Sequence, residues 1–227
     1  MHKISIAIFA FSIALTSGAQ GGTPMTIEIT TTMAIDVDGA PNAYGPRGKP
    51  TLDYELNAHE GATATGKIVG YLTKDGHVPE IQGDNDPFPG FYISTTGFYD
   101  KDNSNTLDPK RYLDASRVNF VVLGSAAKKA GAALGDLVAV YSMKTHKSVY
   151  GIVGDSGNSS GAEGSLALLQ ALGYPVTSGK TGGVEEKEII VRYFPGSNPK
   201  HRFYGSQAQI DAQAKMLRLS KEFPASK

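Results

Sequence analysis

The chain has 227 residues, with 22 lysines and arginines against 22 aspartates and glutamates, and it contains neither cysteine nor tryptophan. The absence of cysteine excludes disulfides, thiolate metal sites and a cysteine nucleophile, so core packing alone must hold the fold together. Basic residues do not cluster between aromatic residues, and this pattern argues against a nucleic-acid partner.

A secretory signal peptide is predicted over residues 1–19. Lys3 gives it a positive start, residues 4–15 are apolar apart from two serines, and Ser17-Gly18-Ala19 supplies the small residues of a cleavage site. The apolar run is too short for a membrane span, and nothing later in the chain is apolar for the roughly 18 residues that a span needs. A membrane anchor is the alternative. We expect a secreted or periplasmic, monomeric protein whose residues 20–227 form a single catalytic domain without a membrane partner.

Strands dominate the predicted elements. Glycine and proline punctuate the chain in the manner of an all-β domain with tight turns. Strands are predicted, in chain order, over residues 25–35, 65–72, 90–96, 118–123, 137–142, 149–153 and 188–194. The fourth is a continuous apolar run and should be buried on both faces, and the fifth and sixth should form a hairpin.

Two helices and one helical turn complete the prediction. Residues 162–172 repeat leucine at helical spacing and stop before a glycine. Residues 206–223 have a helical apolar face and open with a capping box from Ser206 to Gln209. A short helical turn is predicted over residues 125–133.

Three familiar kinds of site find little support in the sequence. Gly154-Asp155-Ser156-Gly157 has the order of a serine-protease segment, but the Gly-Pro expected after it is absent, since Asn158-Ser159 follows. Residues 100–111 imitate a calcium loop, although Asn105 replaces its glycine and Arg111 its bidentate glutamate. A weak ion site is the alternative to a polar turn there. The histidines lack zinc spacing, and neither a metal nor another cofactor is predicted.

The strongest candidate for chemistry is the segment from Gly151 to Ser165. A strand delivers Asp155 into a turn, and a loop of glycine, serine and asparagine leads to Glu163 at the predicted start of a helix. Cleavage of a glycosidic bond needs one carboxylic acid and one carboxylate, and small residues let a sugar approach the backbone. A purely local interpretation is also available, because Ser160 and Glu163 can form a capping box and Asp155 can serve as a turn residue. Spacing alone leaves both interpretations open.

A wider pattern surrounds this segment. Val153-Gly154-Asp155 ends a strand, Glu163-Gly164-Ser165 opens an apolar segment, and that segment runs to Leu172-Gly173. The pattern resembles the glycoside hydrolase family 75 chitosanases, whose hallmark is a strand ending in Gly-Asp, a short glycine-containing loop and Gly-Glu-(Gly/Ala)-Ser. Ala162 departs from it, since it stands where the family has glycine. Further blocks similar to the family lie at residues 35–44, 52–54, 91–96 and 111–115. With them, the resemblance covers most of the span between residues 30 and 195.

The resemblance implies both an activity and a fold. It implies a secreted, endo-acting, inverting hydrolase of the β-1,4-linked glucosamine polymer chitosan, with Asp155 and Glu163 as the catalytic carboxylates. Glu163 is assigned as the acid and Asp155 as the base. The strand, Gly-Asp turn and short helix are also similar to double-psi β-barrel glycosidases and lytic transglycosylases. We therefore expect a mainly β fold with a β-barrel-like core, a double-psi barrel being the candidate type, a short helix after the catalytic loop and a C-terminal helix packed outside.

Substrate contacts are expected from acidic and aromatic residues upstream. Residues 20–120 carry 14 acidic and 8 basic side chains, an excess that fits a polycationic ligand. Aspartates should pair with glucosamine ammonium groups and tyrosines should stack on sugar faces, although core packing is expected for at least one tyrosine. These predicted substrate-binding residues are Asp36, Asp38, Tyr44, Asp53, Tyr54 and Tyr92. The alternatives are a peptidoglycan-cleaving muramidase or lytic transglycosylase, and a non-catalytic exported carbohydrate-binding module.

Overall fold

A computed structural model describes residues 25–58, 70–74 and 76–223. The predicted signal peptide and residues 65–69 of the second predicted strand lie outside the described residues. None of the helices within these ranges is long and apolar enough to cross a membrane.

The described residues form eight strands, three α-helices and two short 3₁₀ turns. The strands are β1 (Ile27–Asp36), β2 (Thr73–Lys74), β3 (Val78–Pro79), β4 (Phe120–Leu123), β5 (Leu137–Ser142), β6 (Ser148–Ser156), β7 (Glu163–Ser165) and β8 (Val184–Phe194). The helices are α1 (Ser125–Lys129), α2 (Leu166–Ala171) and α3 (Gln207–Met216), and the 3₁₀ turns are Glu55–Ala58 and Pro109–Arg111. Strand residues outnumber helical ones, so the predicted mainly β class is confirmed.

Six of the strands close into a barrel in the order β1-β7-β4-β6-β5-β8. The pairs β1–β7 and β4–β6 are parallel, and the other four pairs are antiparallel. The remaining strands, β2 and β3, form a separate two-stranded sheet. The predicted barrel core is therefore confirmed, and closure leaves its strands without an unpaired edge.

The barrel pairings are symmetric. If β1 is exchanged with β6, β4 with β7 and β5 with β8, each pair of neighbouring strands becomes another pair of neighbours that run in the same relative direction. The central pair is Val121 of β4 with Gly164 of β7, and Asp36 and Asp155 occupy equivalent places on either side of it. The barrel pairings are thus pseudo-two-fold symmetric, and the double-psi type stays a prediction.

Two apolar clusters form on opposite faces of the buried strands, because successive side chains of a strand point to opposite sides. Val138 and Val140 of β5 belong to the cluster that includes Leu168 and Leu169 of α2. Leu137 and Ala139 belong to the cluster that includes Ile210 of α3, the helix that packs against β6. The predicted C-terminal helix thus covers one face of the barrel wall.

The helix predicted over residues 162–172 is wrong at its start. Glu163 to Ser165 form strand β7, and α2 begins only at Leu166. The hydroxyl oxygen of Ser165 accepts hydrogen bonds from the N–H groups of Phe120 and Leu168, and it donates to the carbonyl of Val118. Ser165 is therefore the N-cap, and the predicted capping box of Ser160 with Glu163 does not form.

Other boundaries differ in both directions: β6 and β8 are longer than predicted, and two further elements are shorter or less regular. Residues 90–96 make isolated bridges through Tyr92 and Ser94 in place of a strand. Helix α3 ends at Met216, short of the predicted Phe223. Its predicted start is confirmed, because the Ser206 hydroxyl accepts from the N–H of Gln209 at 3.4 Å. The predicted hairpin is confirmed as β5–β6.

Candidate active site

Asp155 and Glu163 reach one cavity from two strands that flank β4. Asp155 of β6 is the parallel partner of Val122. The antiparallel pair of Val121 with Gly164 places Val122 across from Glu163 on the other side. Two strand spacings put the Cα atoms of the two acids about 10 Å apart. Both line a cavity of about 500 Å³ together with the loop from Ser156 to Ser159.

Asp155 is buried, with 7% of its surface exposed. Its Oδ1 accepts hydrogen bonds from the N–H groups of Gly97 at 2.9 Å and Ser156 at 2.6 Å. Burial nevertheless raises the pKa of Asp155 well above its ordinary value, and the nearby charge of Asp36 raises it further. The two N–H groups lower the pKa but do not outweigh these effects.

Asp36 and Asp38 adjoin Asp155. One carboxylate oxygen from each of the three aspartates lies within 4.8 Å of the others. Burial and the charge of Asp38 raise the pKa of Asp36, while burial and the charge of Asp155 raise the pKa of Asp38 to about 8. The hydroxyl of Tyr44 donates to Oδ1 of Asp38 at 2.7 Å, and this bond opposes the rise. Carboxyl groups this close can share protons, and they are also the described groups that could hold a divalent cation.

A second cavity of about 460 Å³ continues the first on the side of β1, and Asp36 and Glu163 line both. Asp53 lies on its wall, where its Oδ1 accepts from the N–H of Tyr54 and from the side chain of Asn57, each at 2.7 Å. Burial raises the pKa of Asp53, and these bonds, with the charge of Lys180, lower it. The acidic residues predicted to bind substrate, Asp36, Asp38 and Asp53, thus all adjoin the candidate catalytic pair.

The three predicted aromatic contacts take different places. Tyr54 is 57% exposed, with the ammonium of Lys180 lying 5.4 Å from its ring centre. Tyr44 is buried and lines the second cavity, held by its bond to Asp38. Tyr92 is buried against Tyr71, with ring centres 4.9 Å apart, and it is not among the residues that line the two cavities described above. Tyr92 is therefore a core residue here, and Tyr54 presents an open face.

The fold brings two further residues to the site, Gly97 and Asn57, which were not predicted from the sequence. Gly97 donates to Asp155, and a side chain at this position would begin 3.0 Å from the Asp155 carboxylate. Asn57 lines both cavities and orients Asp53, four residues earlier, from the 3₁₀ turn. The Asp53–Asn57 spacing was visible in the sequence, whereas the contact between Gly97 and Asp155 joins positions 58 residues apart.

No family model matches the chain, and no curated protein matches it. The similarity to family 75 chitosanases consequently rests on the motifs around Asp155 and Glu163 and on the upstream blocks. The geometry of the two cavities stands independently of it.

Proposed function

We propose that the protein is a secreted, endo-acting glycoside hydrolase that cleaves the β-1,4 linkages of chitosan with inversion. The observation that carries the proposal is the placement of Asp155 and Glu163 in one cavity, on strands separated by β4. Inverting enzymes hold their two carboxyl groups about 6.5–9.5 Å apart, which leaves room for the attacking water. A Cα separation of about 10 Å is compatible with that range.

The environments of the two acids support a division of roles opposite to the expectation from sequence. Asp155 is buried and its pKa is raised, so it suits the general acid. Both N–H donors meet its Oδ1, which leaves Oδ2 to carry the proton for the glycosidic oxygen. Glu163 is half-buried and in reach of water, so it suits the base that removes a proton from the water attacking the anomeric carbon.

The acidic wall beside the pair supports a cationic substrate. Asp36, Asp53 and Glu185 line the cavity on the side of β1, where Lys180 is the basic residue among its described lining. A glucosamine ammonium entering there would exchange water for carboxylate partners. Tyr54 lies beside Lys180 and offers an exposed ring to a sugar face.

Reducing-end release from chitosan and from peptidoglycan tests the proposal. We expect Asp155→Asn and Glu163→Gln each to lower the turnover of chitosan by about 10²- to 10⁴-fold, the usual contribution of a general acid or base. Asp102→Asn is the matched control, because Asp102 is exposed and lines none of the described cavities.

Three outcomes would contradict the proposal. Full activity in both variants would remove these carboxylates from the chemistry. Cleavage of peptidoglycan but not chitosan would favour a muramidase or lytic transglycosylase. Binding of a glycan without cleavage would favour a carbohydrate-binding module.

A further inference from the structure

The cleft extends past the candidate catalytic pair in both directions. The cavity that holds Asp155 and Glu163 shares Asp36, Asn57 and Glu163 with the cavity on the side of β1. It shares the loop from Ser156 to Ser159 with a third cavity of about 500 Å³ on the side of α1. The cavity with the carboxylate pair therefore adjoins each of the other two.

The two ends of this cleft differ in charge. Asp36, Asp53, Glu163 and Glu185 face Lys180 at the first end. At the far end the charged or titratable side chains among the described lining residues are Lys128 and His201, with no carboxylate. An ammonium group at the far end would lose water without gaining an anionic partner, and Lys128 would repel it.

The far cavity also has a different surface. Leu123, Ala132 and Leu134 give it an apolar part, and Asn158 and Ser159, which line the cavity with the carboxylate pair as well, contribute amide and hydroxyl groups. A small apolar pocket with a few polar groups suits a ligand that combines a methyl group with an amide. An acetamido group has that combination, and it carries no charge.

We propose that the far cavity is a subsite for an N-acetylated hexosamine, so that the enzyme cuts mixed polymers where glucosamine on the acidic side adjoins N-acetylglucosamine on the α1 side. This inference rests on the proposed function and specifies its substrate. Asp36, Asp53 and Glu185 select the charged sugar, and the apolar surface with Lys128 selects the acetylated one.

Hydrolysis of partially acetylated chitosan, followed by sequencing of the new chain ends, tests the inference. We expect N-acetylglucosamine to be enriched at one new end and glucosamine at the other, relative to the starting polymer. Lys128→Glu should reduce the enrichment of N-acetylglucosamine by about fivefold, as expected for a partly screened charge interaction. Lys129→Glu, an equally exposed change on α1 that lines none of the described cavities, should leave the enrichment unchanged.

Random acetylation at both new ends, with chitosan cleavage intact, would overturn the inference and leave the proposed function standing. A preference for a carboxylate-bearing sugar at the far cavity would overturn it too, because the cavity would then be an anion subsite.

If no glucosamine polymer were cleaved, the proposed function would fail. The subsite would then be tested by the binding of short oligosaccharides to the far cavity. The readout is the amide NMR shift of Asn158 and Ser159 during titration with N-acetylglucosamine trimer or glucosamine trimer. Shifts caused by the acetylated trimer alone, with a response to the glucosamine trimer gained in Lys128→Glu, support the subsite. Equal responses to both trimers in the unaltered protein overturn it.

Discussion

At the scale of single residues, the charge of Asp36 affects the protonation of Asp155. Asp36 is the last residue of β1 and Asp155 the last but one of β6, at equivalent positions in the barrel pairings, and the charge of Asp36 is the second cause of the raised pKa of Asp155. Two carboxyl groups in such an arrangement titrate together, and the negative charge of one keeps the proton on the other. The charge of Asp36, a residue predicted from sequence to contact substrate, therefore favours the protonated form of Asp155.

Asp36→Asn should lower the pKa of Asp155, because a neutral amide replaces a negative charge beside it. If Asp155 is the general acid, the high-pH limb of the profile of kcat/KM against pH should move down by about one pH unit. Asp102→Asn should leave both limbs in place. Movement of the low-pH limb alone would assign Asp155 as the base.

At the scale of elements, Ser165 connects three of them. Its hydroxyl accepts a hydrogen bond from the N–H of Phe120, the first residue of β4, donates to the carbonyl of Val118 and caps α2. Its own backbone belongs to β7, the strand that also holds Glu163. The side chain is fully buried, so each of these backbone groups depends on it in place of water.

Ser165→Ala should destabilise the protein by about 3 kcal/mol, because it leaves buried N–H and carbonyl groups without a partner. Ser206→Ala removes the exposed cap of α3 and should cost about 1 kcal/mol. Urea denaturation of both variants measures the difference. Equal losses would show that water replaces the Ser165 hydroxyl.

The same element explains why the sequence predicted the site only in part. The hairpin and the α3 cap follow from local patterns, and both were predicted. Strand β7 has three residues, and it exists because β1 and β4 pair with it on its two sides. No periodicity can reveal such a strand, so Glu163 was assigned to a helix although its place in the candidate pair was anticipated. Asp36 and Asp53 were predicted to lie near the pair from their acidic character, but the cavity that they line with Glu163 could not be derived from the sequence.

At the scale of the whole molecule, buried carboxyl groups link stability to pH. Asp38 has a folded pKa of about 8, against an unfolded value of about 4. Between these values the folded state binds the proton and the unfolded state releases it, so the free energy of unfolding falls as pH rises. Its contribution is complete below about pH 4 and is lost by the time the pH has passed the folded pKa.

Asp38→Asn should flatten this dependence, since an amide does not titrate. We expect the unaltered protein to resist urea better at pH 5 than at pH 8, and the variant to show a smaller difference between them. Asp102→Asn should behave like the unaltered protein. Greater stability at pH 8 than at pH 5 in the unaltered protein would contradict the raised pKa values of this cluster.

The symmetry of the barrel has one more consequence. The first half of the pairing scheme supplies Asp36 and the second supplies Asp155 and Glu163, so residues of two similar halves line the cleft together. A chain with one half would have to pair with a copy of itself to bring two such aspartates face to face. In the joined chain the two halves differ in sequence. One end of the cleft is acidic and the other is apolar and basic, and a symmetric homodimer could not make that division.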